Sequence, residues 1–138
     1  MWTLTRAILK ERKTILTSVK ALGLIDLTFA KARFSIAYDM AAPQLDSECR
    51  LKLRRARHPL LLRWISEEKG KPASDVMDEV VPIDVRLGED FDLLLVTGPN
   101  AGGKTVMLKT IGLLALMTQS GMHIPAIADS RVPVYRQV

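Results

Sequence analysis

Apolar positions follow three different rhythms along this chain, and each predicts a different element. Between residues 3 and 38, Ile8, Ile15, Val19, Leu22, Ile25 and Phe29 recur at spacings of three, four and seven, with Lys10, Glu11, Arg12, Lys13 and Lys20 among them. That is the period of an amphipathic helix. Gly23 is its weak position, costing about 1 kcal/mol against alanine. A helix of about 35 residues would reach about 50 Å, too long to lie along a small domain. Such helices serve as arms, levers or coiled-coil pieces. Ala41-Ala42-Pro43 ends it.

The second rhythm is strict alternation. In Cys49-Arg50-Leu51-Lys52-Leu53-Arg54 the apolar set points one way and the basic set the other. This predicts a half-buried strand with a basic outer face, and a buried, inert Cys49. Arg57-His58-Pro59 breaks it. Residues 66–79 are polar, contain Gly70 and Pro72, and read as an exposed loop. Residues 80–85 read as a short strand whose Pro82 places it at an edge or an end.

The third rhythm is a continuous run. Leu93-Leu94-Leu95-Val96 has no polar face, as expected of a central parallel strand covered on both sides. A helix over residues 104–120 follows, closed by Gly121 just past its end. Residues 124–128 and 132–134 supply two further candidate strands. The fold class is α/β, preceded by a long helix.

Composition narrows this picture without changing it. The 138 residues are 48% hydrophobic and 5% aromatic, so the core is built from aliphatic side chains and methionine. Met107, Met117 and Met122 read as core filler. A single cysteine excludes an internal disulfide and a cysteine-rich zinc site, and suits a reducing cytoplasm. Basic residues interrupt any early apolar run, so no secretory signal is read, and no stretch of about 18 apolar residues predicts a membrane span. Residues 1–70 carry 14 Lys and Arg against 7 acids, whereas residues 71–138 carry 6 against 8. The basic half, densest at Arg50, Lys52, Arg54, Arg55 and Arg57, suits a solvated face, a contact with the long helix or nucleic acid.

Between the apolar run and the second helix lies Gly98-Pro99-Asn100-Ala101-Gly102-Gly103-Lys104-Thr105. Strand, glycine loop and helix are the context of a P-loop, which grips the phosphates of a nucleoside triphosphate. Many donors must converge on such a ligand. Glycines permit the backbone angles that aim successive N–H groups inward, and the helix N-terminus adds its positive dipole end. In this reading Gly98, Pro99, Asn100, Ala101, Gly102, Gly103 and Lys104 form the cradle. Lys104 reaches the β- and γ-phosphates, and the Thr105 hydroxyl joins the magnesium shell. The expected ligands are ATP and Mg2+.

This loop, with its flanks, resembles the MutS-type ATPases of DNA mismatch repair, and among them the second bacterial subfamily. The resemblance extends to residues 105–114, to Gln119-Ser120-Gly121-Met122-His123-Ile124-Pro125-Ala126, to Phe29-Ala30-Lys31-Ala32-Arg33-Phe34, to Arg57-His58-Pro59-Leu60-Leu61 and to residues 81–88. It implies that residues 1–40 end a helical lever, and that residues 45–138 begin an ABC-type ATPase domain. It implies a homodimeric parent, with a C-terminal Smr nuclease domain, that hydrolyses ATP. That parent would act on branched DNA, in suppressing recombination, or on ribosomal RNA. The Walker B carboxylates of that family are expected beyond Val138, so the chain reads as a fragment carrying the phosphate grip, and turnover by it alone is left open. Two rivals stand beside this reading. One is a non-catalytic structural or interaction piece. The other is a different ABC-type machine with a helical arm, against which Gly102-Gly103 argues.

Four other side chains carry weaker signals. His58 is expected to end its strand, with nucleotide or subunit contact as the alternative. His123 is expected to cap the second helix at its C-terminus. Trp64 could pack under a strand or stack on a base. Residues 80–85 contain no aromatic side chain to stack on adenine, so aliphatic contact is expected there.

Overall fold

The computed structural model describes residues 2–99 and 102–135. They divide into two units, one reaching to Arg33 and the other starting at Phe34. Asn100 and Ala101 of the predicted loop lie outside the described residues.

The first unit is helical, as its periodicity predicts. Helix α1 spans Trp2–Lys10 and α2 spans Arg12–Ala37. At Glu11 the ladder tightens, its amide bonding back three residues to the Ile8 carbonyl at 3.1 Å. Neither helix buries a residue, and Trp2, Leu22 and Phe29 are all more than half exposed.

The second unit is a four-stranded sheet with a helix packed on it. Strands β1 (Gln44–Asp46), β2 (Leu51–Ala56), β3 (Ile83–Leu87) and β4 (Arg131–Pro133) lie in the order β1-β4-β2-β3. β1 and β4 are parallel, and β2 is antiparallel to both its neighbours. β3 occupies an edge, where Pro82 at its start costs no ladder bond. Leu51 and Leu53 are buried as the alternation predicts. Gly88 (φ 87°) turns the chain after β3 so tightly that an added Cβ would sit 2.7 Å from the Cys49 carbonyl oxygen.

The β2–β3 register slips between Leu53 and Ala56, where Arg55 adopts φ 47°. Two amides freed by this bulge find side-chain acceptors. Arg54 N–H donates to Ser130 Oγ at 3.1 Å, and Arg55 N–H to Asp84 Oδ1 at 2.8 Å. Buried backbone donors need partners, and the bulge keeps them.

Helix α3 covers Pro59–Lys69, and α4 covers Lys104–Gln119. From α4, Leu114, Ala115 and Met117 join Leu51, Leu53, Val85 and Val132 in the core. Met107 and Met122 pack against its margin, so the methionines fill the core as expected. Beyond α4 the chain is stapled to the segment after α2. Ala41 and Ile124 exchange two backbone hydrogen bonds at 3.0 Å, and Ser35 Oγ lies 2.7 Å from His123 Nδ1. His123 therefore ties two segments together and is not the predicted helix cap.

Three further expectations are corrected. Residues 93–96 form no strand, and Leu93 and Leu95 are 83% and 81% exposed. No described segment pairs with them, and an apolar run becomes a strand only where neighbours take its N–H and C=O groups. Cys49 is exposed, at φ 59° in the turn before β2, so the alternation starts two residues later than it reads. Residues 66–79 are mostly helical. α3 runs on to Lys69, Gly70 caps it at φ 58°, and a 3₁₀ helix over Ala73–Glu79 buries Ala73 and Val76. Of the later candidate strands, residues 124–128 contribute only the Ala41–Ile124 bridge.

Candidate functional site

A pocket of about 530 Å³ opens where α4 begins. One wall is aliphatic, formed by Leu61 and Ile65 of α3, Val81 and Ile83 around the start of β3, and Met107 of α4. Gly102, Gly103 and Lys104 line the same pocket. The same cavity thus joins an apolar compartment to the N-terminus of a 16-residue helix.

The local sequence explains this N-terminus. Gly103 takes the N-cap position at φ 76°, which an L side chain adopts only at a cost of about 1–2 kcal/mol. Gly98 takes φ 136°. The Gly102 amide closes on the Pro99 carbonyl at 3.0 Å, and no acidic residue stands in the first turn of α4. The positive dipole end is therefore not neutralised by a carboxylate of that turn. The Lys104 ammonium donates to the carbonyl oxygens of Gly98 and Pro99. Thr105 follows it, exposed, in the first turn. Gly98, Pro99, Gly102, Gly103, Lys104 and Thr105 thus lie within one turn and the helix start.

These residues suit a phosphate chain in donor chemistry: a cation, glycine backbone and a helix N-terminus. For a divalent cation, the Thr105 hydroxyl would be the oxygen ligand that this loop offers. Among the described residues no group of three His, Cys, Asp or Glu side chains could hold a metal ion. The carboxylate lining the pocket, Glu79, pairs with Lys69.

Two groups at the pocket escape a reading by sequence pattern. His58 is the N-cap residue of α3 but makes no side-chain cap bond, and it lines the pocket instead. Its Nδ1 is buried without a hydrogen-bond partner. Burial, helped by the nearby Lys109 charge, lowers its pKa below the usual histidine value, favouring the neutral ring. The helix α3 that carries Leu61 and Ile65 was hidden in the Leu60-Leu61-Leu62 run, too short to reveal a period. Trp64 stands on α3, 59% exposed, and lines none of this cavity.

The basic cluster is largely occupied internally. Arg50 pairs with Asp46 at 3.0 Å and Glu48 at 2.9 Å, Arg54 pairs with Asp129, and the buried Arg57 donates to the Val80 carbonyl at 3.2 Å. Burial works to raise the Asp46 pKa, but hydrogen bonds from Arg50 and the Glu48 amide outweigh it and hold the group below the usual carboxylate value. Only Lys52 and Arg55 of the five have no ion pair among the described residues. No described helix is long and apolar enough to cross a membrane.

Comparison with known proteins identifies a family. The family described as MutS domain V matches residues 94–138. The protein named Endonuclease MutS2 in Pelotomaculum thermopropionicum is 52% identical over 121 residues, covering 88% of this chain and 14% of the relative. Its namesake in Acetivibrio thermocellus is 45% identical over 122 residues, again 88% of this chain and 14% of the relative. That of Caldanaerobacter subterraneus subsp. tengcongensis is 39% identical over all 138 residues, 16% of its own length. The chain therefore spans about one-seventh of these relatives, at 14–16% of their length. Over that span it belongs to the MutS2 branch of the MutS family.

Proposed function

We propose that this chain binds ATP with Mg2+ at the N-terminus of α4. The observation that carries the reading is the single pocket joining an aliphatic wall to Gly102, Gly103 and Lys104. The phosphates would lie along residues 98–105, including Asn100 and Ala101, with Lys104 on the β- and γ-phosphates. Thr105 would supply an oxygen to Mg2+. The base would enter the aliphatic half, beside Val81 and Ile83.

In this reading the chain is the beginning of an ABC-type P-loop ATPase domain, residues 45–138, joined to the end of a helical lever, residues 1–40. The whole protein would be a cytoplasmic homodimer that couples ATP-driven movement to a nucleic acid, either branched DNA or ribosomal RNA. The paired state of Arg50, Arg54 and Arg57 argues against the β2 face as the nucleic-acid contact. A second reading, binding without turnover, is favoured by one observation: Glu79, the carboxylate at the pocket, is engaged by Lys69.

Titration with a ribose-labelled fluorescent ATP, with and without Mg2+, tests the proposal. Binding should be strengthened by Mg2+ and weakened at least about tenfold by Lys104→Ala, since hydrogen bonds to charged groups contribute about 1.5–3 kcal/mol. Unchanged affinity in that variant would sink the assignment. Steady-state phosphate release by the purified chain, absent or present, separates the two readings.

A further inference from the structure

Among the described residues the pocket wall has no Phe, Tyr or Trp side chain, and the His58 imidazole is its flat ring. That ring occupies an unusual position. His58 starts α3 with extended backbone (φ −79°, ψ 113°), the conformation from which an N-cap side chain ordinarily turns back to the first helical amides. It makes no such bond. It lies along the cavity shared with Gly103 and Lys104, and its Nδ1 has no partner among the described residues. A polar ring left uncapped and unbonded gains nothing for α3, so its placement serves the cavity. A neutral ring beside a phosphate site offers a π-face rather than a counter-charge. Flat aromatic surfaces are what nucleobases stack on, and such stacking is tolerant of the base's hydrogen-bonding edge.

We propose that the purine base of the bound nucleotide stacks on the His58 imidazole, making His58 the residue that distinguishes a nucleotide from a bare polyphosphate. This inference rests on the phosphate-loop reading of residues 98–105. Its geometry assigns separate tasks: Lys104 and the glycine turn hold phosphate, and His58 holds the base.

The test uses the 138-residue chain with two probes, ATP and inorganic tripolyphosphate. His58→Ala should weaken ATP about tenfold, a typical stacking loss, and leave tripolyphosphate unchanged. His58→Phe should restore ATP. Lys104→Ala should weaken both probes. The unmodified chain supplies a readout free of folding effects. With only two histidines, the His58 ring-proton resonances can be followed directly. They should move upfield on adding ATP, from the ring current of the stacked base, and not on adding tripolyphosphate. Equal weakening of both probes by His58→Ala, failure of His58→Phe to restore ATP, or an unmoved His58 resonance under saturating ATP would each overturn the inference. If tripolyphosphate does not bind the unmodified chain at all, the phosphate-loop reading fails first, and this inference falls with it.

Discussion

The two ends of α4 are built for opposite purposes. Toward the C-terminus, Leu114, Ala115, Met117 and Thr118 are buried, and the chain beyond is tied down by the Ala41–Ile124 bridge and the Ser35–His123 hydrogen bond. Toward the N-terminus, Thr105, Val106, Leu108 and Lys109 are exposed, and Gly103 holds a backbone angle open to glycine. The contrast separates the source of stability from the seat of chemistry. One end anchors a rigid rod on the sheet. The other presents a glycine turn and the Lys104 ammonium, which rests on the carbonyls of Gly98 and Pro99.

Substitutions at the two ends should therefore fail in different assays. The largest effect is expected from Leu114→Ala, which empties a fully buried site in the core and should cost about 2–5 kcal/mol in stability. A denaturant titration measures it, and a loss below about 1 kcal/mol would mean that the core collapses to fill the site. Next comes Lys104→Ala, expected to cost about 1.5–3 kcal/mol in triphosphate binding while leaving the melting temperature nearly unchanged. A large fall in melting temperature would erase the proposed division. Gly103→Ala tests the junction between the ends. A Cβ there meets nothing within 4 Å, so its cost is backbone strain alone, about 1–2 kcal/mol. Thermal melts of that variant should show this loss even without ligand.

The smallest expected effect is a pH dependence. The folded-state pKa of His58 lies below its ordinary value of 6.5, so the unfolded chain binds the proton more readily. Its contribution is complete above about pH 6.5, falls as pH drops toward the folded pKa, and changes no further below it. His58→Phe should flatten the stability profile in that window. An unaltered profile would show that the ring takes up its proton at the same pH in the folded and the unfolded chain.

Much of the scaffold could be read from pattern because its determinants are local. Leu51 and Leu53 alternate, Gly121 stops α4, and Pro82 marks an edge. The misreadings share a different cause. Leu93-Leu94-Leu95-Val96 has the composition of a buried strand, yet pairing is a property of neighbours, and no described segment lies alongside. Cys49 continues the alternation by identity but sits in a left-handed turn that shifts it out of the face. The pairing of Arg54 is hidden in the sequence because its carboxylate is remote: Asp129 lies 75 residues from Arg54. Of the site, the glycines, Lys104 and Thr105 are legible as a motif. For His58 the sequence leaves nucleotide contact only as an alternative, because α3 must first fold to bring its ring to the cavity it shares with a helix that starts more than forty residues later.

The contacts of Lys104 have a kinetic corollary. Its ammonium is already held by the carbonyls of Gly98 and Pro99. On the proposed reading, ligand entry at this loop would be a displacement, in which an arriving oxyanion must outcompete two neutral oxygens of the protein for one cation. A triphosphate, with several negative oxygens, wins that competition more readily than a single weakly charged group. The resting contact would then act as a filter on valence, turning away small anions that a bare lysine would collect.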